Sequence, residues 1–153
     1  MKKALFKLNE FCGANRIEYT VTGTTALSLL GAPSTFEPQD IDIKVFHIST
    51  VQREKLEELE FLAGLKNEKY DHGQCFSFIV DGVKINAIVD NTKDYDEILS
   101  QGVTLDLVDE ERKKHHLINV QLVKYALADK MRLRRNKDKS YLLDLIHNLT
   151  SLV

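Results

Sequence analysis

The tetrapeptide Asp40-Ile41-Asp42-Ile43 constrains this chain more than any other stretch. Side chains alternate across a strand, so the two aspartates share one face and the two isoleucines the other. Two carboxylates on one strand face repel unless something positive lies between them. A divalent cation with oxygen ligands answers this well, and Mg²⁺ is commonly held by one or two carboxylates plus substrate phosphates. The plainer reading is an edge strand with one solvated face, where Asp is disfavoured but found. Alternation continues to Phe46, so Asp40 to Phe46 is expected to be one strand.

The residues upstream favour the first reading. Ile17 to Val21 alternates and predicts a strand. It runs into Thr22-Gly23-Thr24-Thr25, and Ala26, Leu27, Leu29 and Leu30 then predict a short helix stopped by Gly31. Such a turn offers backbone N–H groups to an anion, with phosphate the usual guest. Thr24 and Thr25 can add hydroxyl donors. A phosphate cradle followed by a paired-Asp strand is what metal-assisted phosphoryl transfer requires.

The remaining elements frame these two. Leu5 to Cys12 fits an amphipathic helix closed near Gly13, and residues 31–38, which hold both prolines, predict a loop. Ser49 to Leu62 reads as a helix capped by Ser49 or Thr50. Cys75 to Val80 and Val83 to Val89 flank Asp81-Gly82, a strong two-residue hairpin signal. A short helix over 94–101, a strand from Val103 to Val108, and helices from Val120 to about Arg135 and Lys139 to about Leu149 follow. The expected class is α/β (α+β), a small mixed sheet with C-terminal helices, the core covering about 1–108 and the helices about 118–150.

With 153 residues, one domain over 1–153 is expected, long enough to bury a core without disulfides or metal. The 43% hydrophobic and 29% charged composition excludes collagen-like and low-complexity chains. Against 23 acidic residues stand 21 basic ones, which argues against a chain-wide nucleic-acid surface but not against a local basic patch. No apolar run approaches the ~18 residues of a membrane span, so no membrane partner is expected. Lys7, Asn9 and Glu10 interrupt the stretch a signal peptide would need. Cys12 and Cys75 lack metal or redox spacing and read as small buried residues. A reduced cytoplasmic setting is expected, with the oligomeric state left open.

Val21-Thr22-Gly23-Thr24-Thr25-Ala26-Leu27 followed by Gln39-Asp40-Ile41-Asp42-Ile43 resembles the polymerase-β-type nucleotidyltransferase superfamily. That pattern is a hydrophobic residue and a Gly turn, then Asp-hydrophobic-Asp/Glu on the next strand. Thr25-Ala26-Leu27 and the compact C-terminal helices are most similar to the AbiEii-type toxin nucleotidyltransferases, in which a Lys lies in the penultimate helix and an Asp-rich helix follows. Lys130 and the stretch Lys137-Asp138 to Asp144-Leu145 stand at those places. The resemblance implies a nucleotidyltransferase-type core with Asp40 and Asp42 as catalytic residues on Mg²⁺ (or Mn²⁺). Gly23, Thr24, Thr25 and Lys130 would contact a nucleoside triphosphate. Transfer of a nucleoside monophosphate to an acceptor hydroxyl would release pyrophosphate, with RNA, protein, antibiotic and small metabolite all open as acceptor. A toxin–antitoxin role is implied by analogy alone.

Three positions depart from the pattern. The third acid of the family falls on Asn86, which can ligate through oxygen but cannot act as a general base. Asp90 has the same parity and could replace it if the strand were displaced. The second small residue of the turn is Thr24, and Phe36-Glu37-Pro38 stands where an Arg and a Ser/Thr are common. The alternative is therefore a catalytically degenerate binding or regulatory module on the same fold. A third reading takes Asp42-Ile43-Lys44 as the acid-x-Lys strand of a metal-dependent nuclease, which leaves the Gly23 turn without a role. The basic run Lys130, Arg132, Arg134, Arg135, Lys137 and Lys139 reads as a helix end complementing its dipole, with Lys130 turned inward. Tyr125 and Tyr141 read as core, and His115-His116 as a solvated surface stretch.

Overall fold

The computed structural model describes residues 1–62, 68–70, 73–90 and 95–150. Six helices and eight strands appear among them, in the order α1 (Lys2–Ala14), β1 (Tyr19–Thr22), α2 (Gly23–Leu29), β2 (Ile41–Phe46), α3 (Thr50–Glu57), β3 (Glu60–Leu62), β4 (Glu68–Tyr70), β5 (Gly73–Val80), β6 (Val83–Asp90), α4 (Tyr95–Ser100), β7 (Gly102–Asp109), β8 (Lys114–Gln121), α5 (Val123–Leu133) and α6 (Asn136–Thr150). The strands form one mixed sheet ordered β3-β5-β6-β2-β1-β8-β7, with β4 also on β5 and β7 at one edge.

Alternation sets the two faces of this sheet. Val21, Ile43, Ala87 and Phe76 lie in one cross-strand row, with Val120 beside Val21 on β8. Their side chains pack under Ala4, Leu5, Leu8 and Cys12 of α1 as the main core. Both cysteines are free and buried, and burial pushes the Cys12 thiol up to about 12. A second, smaller core joins Leu27 of α2 to Ala126 of α5 and to Tyr141 and Leu145 of α6. The C-terminal helices therefore hang on α2, the helix that leaves the Gly23 turn. No helix among the described residues is long and apolar enough to cross a membrane.

The hairpin forms at Asp81-Gly82, both with positive φ (51° and 75°), as a primed two-residue turn demands. Three expectations need correction. The helix expected through Leu62 ends at Glu57, and Glu60–Leu62 pairs antiparallel with β5, because sheet pairing outweighs the helical preference of a Glu- and Leu-rich segment. The C-terminal helices begin at Val123, since Lys114–Gln121 is a full strand paired with β7 and, at Val120, with β1. Within that strand His115 is exposed, but His116 faces the core at 2% exposure, its ring stacked 4.5 Å from Phe6 and bonded to Asn9. The expected class, a mixed sheet with C-terminal helices, is the one observed.

Candidate functional site

Strand register builds the site. Thr22 pairs with Asp42, Asp42 with Asn86, and Asn86 with Ser77, so these four side chains form one row across β1, β2, β6 and β5 on the face opposite α1. Thr22, Asp42 and Asn86 line a cleft of about 660 Å³ whose walls include Gly23, Thr24, Asp40, Lys84, Asp129 and Lys130, and Ser77 is buried beside it.

At its centre Asp40 and Asp42 converge. The Asn86 Nδ2 group donates to Asp42 Oδ1 at 3.1 Å and to Asp40 Oδ2 at 3.4 Å, while Asn86 Oδ1 accepts from the Ser77 hydroxyl at 2.7 Å. The oxygens within reach of one point are thus the two carboxylates and, were the amide turned, that of Asn86. Burial raises the Asp42 carboxyl above its ordinary range; the Asn86 hydrogen bond and Lys137 oppose this, and Asp40 adds to it.

The turn closes on the same carboxylate. Gly23 has φ +64°, and a Cβ there would lie 3.1 Å from Asp42 Oδ2. Glycine is required twice, for the left-handed backbone and for the close approach. Thr25, expected among the phosphate donors, does not line the cleft: its buried hydroxyl donates to the Asp40 carbonyl at 2.9 Å and ties α2 to the start of β2. Thr24 does line it, and its Oγ1 accepts from Lys130 Nζ at 2.8 Å.

Lys130 is turned inward, only 7% exposed. It lies 3.6 Å from Asp138 and 4.6 Å from the centre of the Tyr141 ring, a cation–π geometry. Burial lowers its pKa against the pull of Asp138. Asp138 is fully buried and takes a two-oxygen grip from Arg135, at 2.7 and 3.2 Å. Burial would raise its carboxyl, but Arg135 and Lys130 prevail and hold it below the ordinary range.

Lys44 shares the cleft face with Asp42, as the nuclease reading required, and sits 3.9 Å from Asp129. The 31–38 loop is held to α6 by Ser34 and Thr35, whose hydroxyls and the Thr35 N–H bond Asp144. This sets Phe36, Glu37 and Pro38 into the cleft wall, with Phe36 6.0 Å from Tyr141. Asp90 pairs with Phe46, four residues along β6 from Asn86; its side chain lies outside the described residues. At about 3.3 Å per residue its backbone lies some 13 Å from the row. Sequence reasoning missed Lys84 and Asp129 in the cleft wall and Ser77 behind Asn86, and it placed Tyr141 only in the core, whereas Tyr141 lines the cleft as well.

This fold is similar to that of two solved proteins. A Thermotoga maritima protein provisionally assigned as a nucleotidyltransferase superposes with a TM-score of 0.62 at 17% identity, over 95% of this chain and 91% of that one. An antigenic nucleotidyltransferase-like protein from Paracoccidioides brasiliensis gives a TM-score of 0.50 at 15% identity, over 94% and 72%. At these identities the likeness establishes the fold. No protein-family model matches the sequence, and no curated protein matches it either.

Proposed function

We propose that this chain is a Mg²⁺- or Mn²⁺-dependent nucleotidyltransferase that moves a nucleoside monophosphate from a nucleoside triphosphate to an acceptor hydroxyl. The observation that carries the reading is the convergence of Asp40 and Asp42 on one point of a cleft floor, directly under the Gly23 turn.

The donor set fits the cation. Asp40 and Asp42 offer two carboxylates at one point, with the remaining positions open to water and substrate oxygens. That is the ordinary arrangement for Mg²⁺ in phosphoryl transfer. When bound, the cation would neutralise phosphate charge and polarise the reacting phosphorus. Asp40 and Asp42 would hold it. Gly23 and Thr24 lie where the triphosphate would run, with Lys130 behind them as a fixed positive charge. Asn86 takes no proton, so the acceptor hydroxyl must lose its proton to a cleft carboxylate or to water. Lys84, Arg132, Arg135 and Lys137 line the same cleft and suit an anionic acceptor such as RNA, with protein the other candidate. The AbiEii-type resemblance rests on Thr25-Ala26-Leu27, Lys130 and the stretch Lys137-Asp138 to Asp144-Leu145, and a toxin role rests on that analogy alone.

One observation favours a second reading. The Asn86 amide already satisfies both aspartates, as it would in a degenerate binding module. Thermal unfolding with each ribonucleoside triphosphate, with and without Mg²⁺, tests the first reading. A ligand at 100 times its Kd adds about 2.7 kcal/mol, several degrees for a domain of this size. A Mg²⁺-dependent shift that Asp42→Asn abolishes supports the enzyme, whereas no shift with any nucleotide overturns it. Asn86→Asp then separates the two readings: a degenerate site gains transfer of α-³²P label, and a competent one changes little or loses it.

A further inference from the structure

The carboxylate pair has a partner of its own, and the following inference rests on that pair being the metal site proposed above. Every polar atom of the Asn86 carboxamide is engaged: its oxygen by Ser77, its nitrogen by both aspartates. An amide NH₂ has two donors and partial positive charge, one N–H for each carboxylate. It therefore does for Asp40 and Asp42 what a cation does, lying between them and relieving their repulsion.

A cation cannot enter that point while two N–H bonds aim at it. A half-turn about Cβ–Cγ removes the conflict, and this torsion is broad and close to two-fold. The turn brings Oδ1 to the carboxylates and Nδ2 to Ser77. Ser77 is fully buried at 0% exposure, directly across the hairpin from Asn86, with its Oγ 2.7 Å from the amide. A hydroxyl is both donor and acceptor, so Ser77 can partner either orientation. Alanine could partner neither, and threonine could partner both.

We propose that Asn86 is an exchangeable bridge: its nitrogen links Asp40 and Asp42 when no metal is bound, its oxygen faces the metal when one is, and Ser77 is the positioning residue that holds both states. Loss of the Ser77 hydroxyl falls unevenly on the two. Without metal it strands one amide oxygen, while the nitrogen keeps its carboxylates. With metal it strands the NH₂, which has then left the carboxylates and has no other bonded partner in the row. Ser77→Ala should therefore weaken Mg²⁺ binding by about threefold, the excess cost of a stranded NH₂ over a stranded oxygen.

The test is a titration of the full chain, ¹³C/¹⁵N-labelled at Asn and Asp, with MgCl₂ alone, followed by NMR. The Asn86 signals are assigned by their loss in Asn86→Asp. Binding should move the Asn86 Cγ and Nδ2 resonances together with the Asp40 and Asp42 carboxyl carbons. Ser77→Ala should raise the midpoint about threefold, and Ser77→Thr should restore it. Movement of the carboxyl carbons with Asn86 unmoved, or an unchanged midpoint in Ser77→Ala, overturns this inference and leaves the metal site standing. Stillness of all these signals up to tens of millimolar Mg²⁺ overturns the metal site, and the inference with it.

Discussion

Single residues carry opposite loads in this cleft. Gly23→Ala introduces a side chain at φ +64° against Asp42 Oδ2. It should cost about 1–2 kcal/mol in urea unfolding and abolish the Mg²⁺-dependent nucleotide shift. Asp42 works the other way. Its folded pKa is raised, chiefly by burial, so its ionised form destabilises the metal-free protein above that pKa, and the penalty vanishes as pH falls through it. Asp42→Asn should therefore unfold at a higher temperature than the metal-free wild type at neutral pH, with the two converging in acid. Asp138 has a depressed folded pKa, so its contribution is complete above the ordinary carboxylate range near about 3.9 and is lost as pH falls through the folded value. Asp138→Asn should lose about 2 kcal/mol at pH 7, the order expected of charge-assisted bonds, and the deficit should close in acid-unfolding series below pH ~4.

At the scale of elements, the sequence was readable wherever a local signal and the tertiary structure agreed. Asp81-Gly82 fixed the hairpin, and alternation in Asp40 to Phe46 fixed which side chains face the cleft. Ser77 was within reach as well: a two-residue turn pairs Val80 with Val83, which places Ser77 opposite Asn86. Serine on a strand, however, carries no signal until its partner is known to matter. The strand Lys114–Gln121 was hidden because its core-facing alternation, His116, Ile118 and Val120, begins with a residue that reads as polar. Glu60–Leu62 was hidden because a three-residue strand is decided by its neighbour across the sheet rather than by its own residues. The helix before it starts where expected, at a reciprocal cap in which Ser49 Oγ accepts from the Gln52 N–H and the Gln52 amide oxygen accepts from the Ser49 N–H. Ser49→Ala should lower the urea midpoint by the equivalent of about 1 kcal/mol.

Across the whole molecule, the cleft is where two packing units meet: the sheet supplies the acids, and the helices hung on α2 supply the buried cation. Tyr141 joins the units, since its ring fills the smaller core, underlies Lys130 and faces Phe36. Tyr141→Ala should cost about 3 kcal/mol by cavity formation, read as a lower denaturant midpoint, and should weaken nucleotide binding beyond what that loss of stability explains. The far edge of the sheet has a different bearing. Strand β7 ends the sheet with eight residues, and Val103 and Val108 are exposed along it. A strand of that length and polarity would recruit a neighbouring molecule by main-chain pairing, but Asp106 stands mid-edge beside His115, 2.9 Å away, so any added strand would have to desolvate a charge. One carboxylate far from the cleft thus guards the middle of this edge against main-chain pairing, and replacing Asp106 by Val should raise self-association, read as a larger sedimentation coefficient at rising protein concentration.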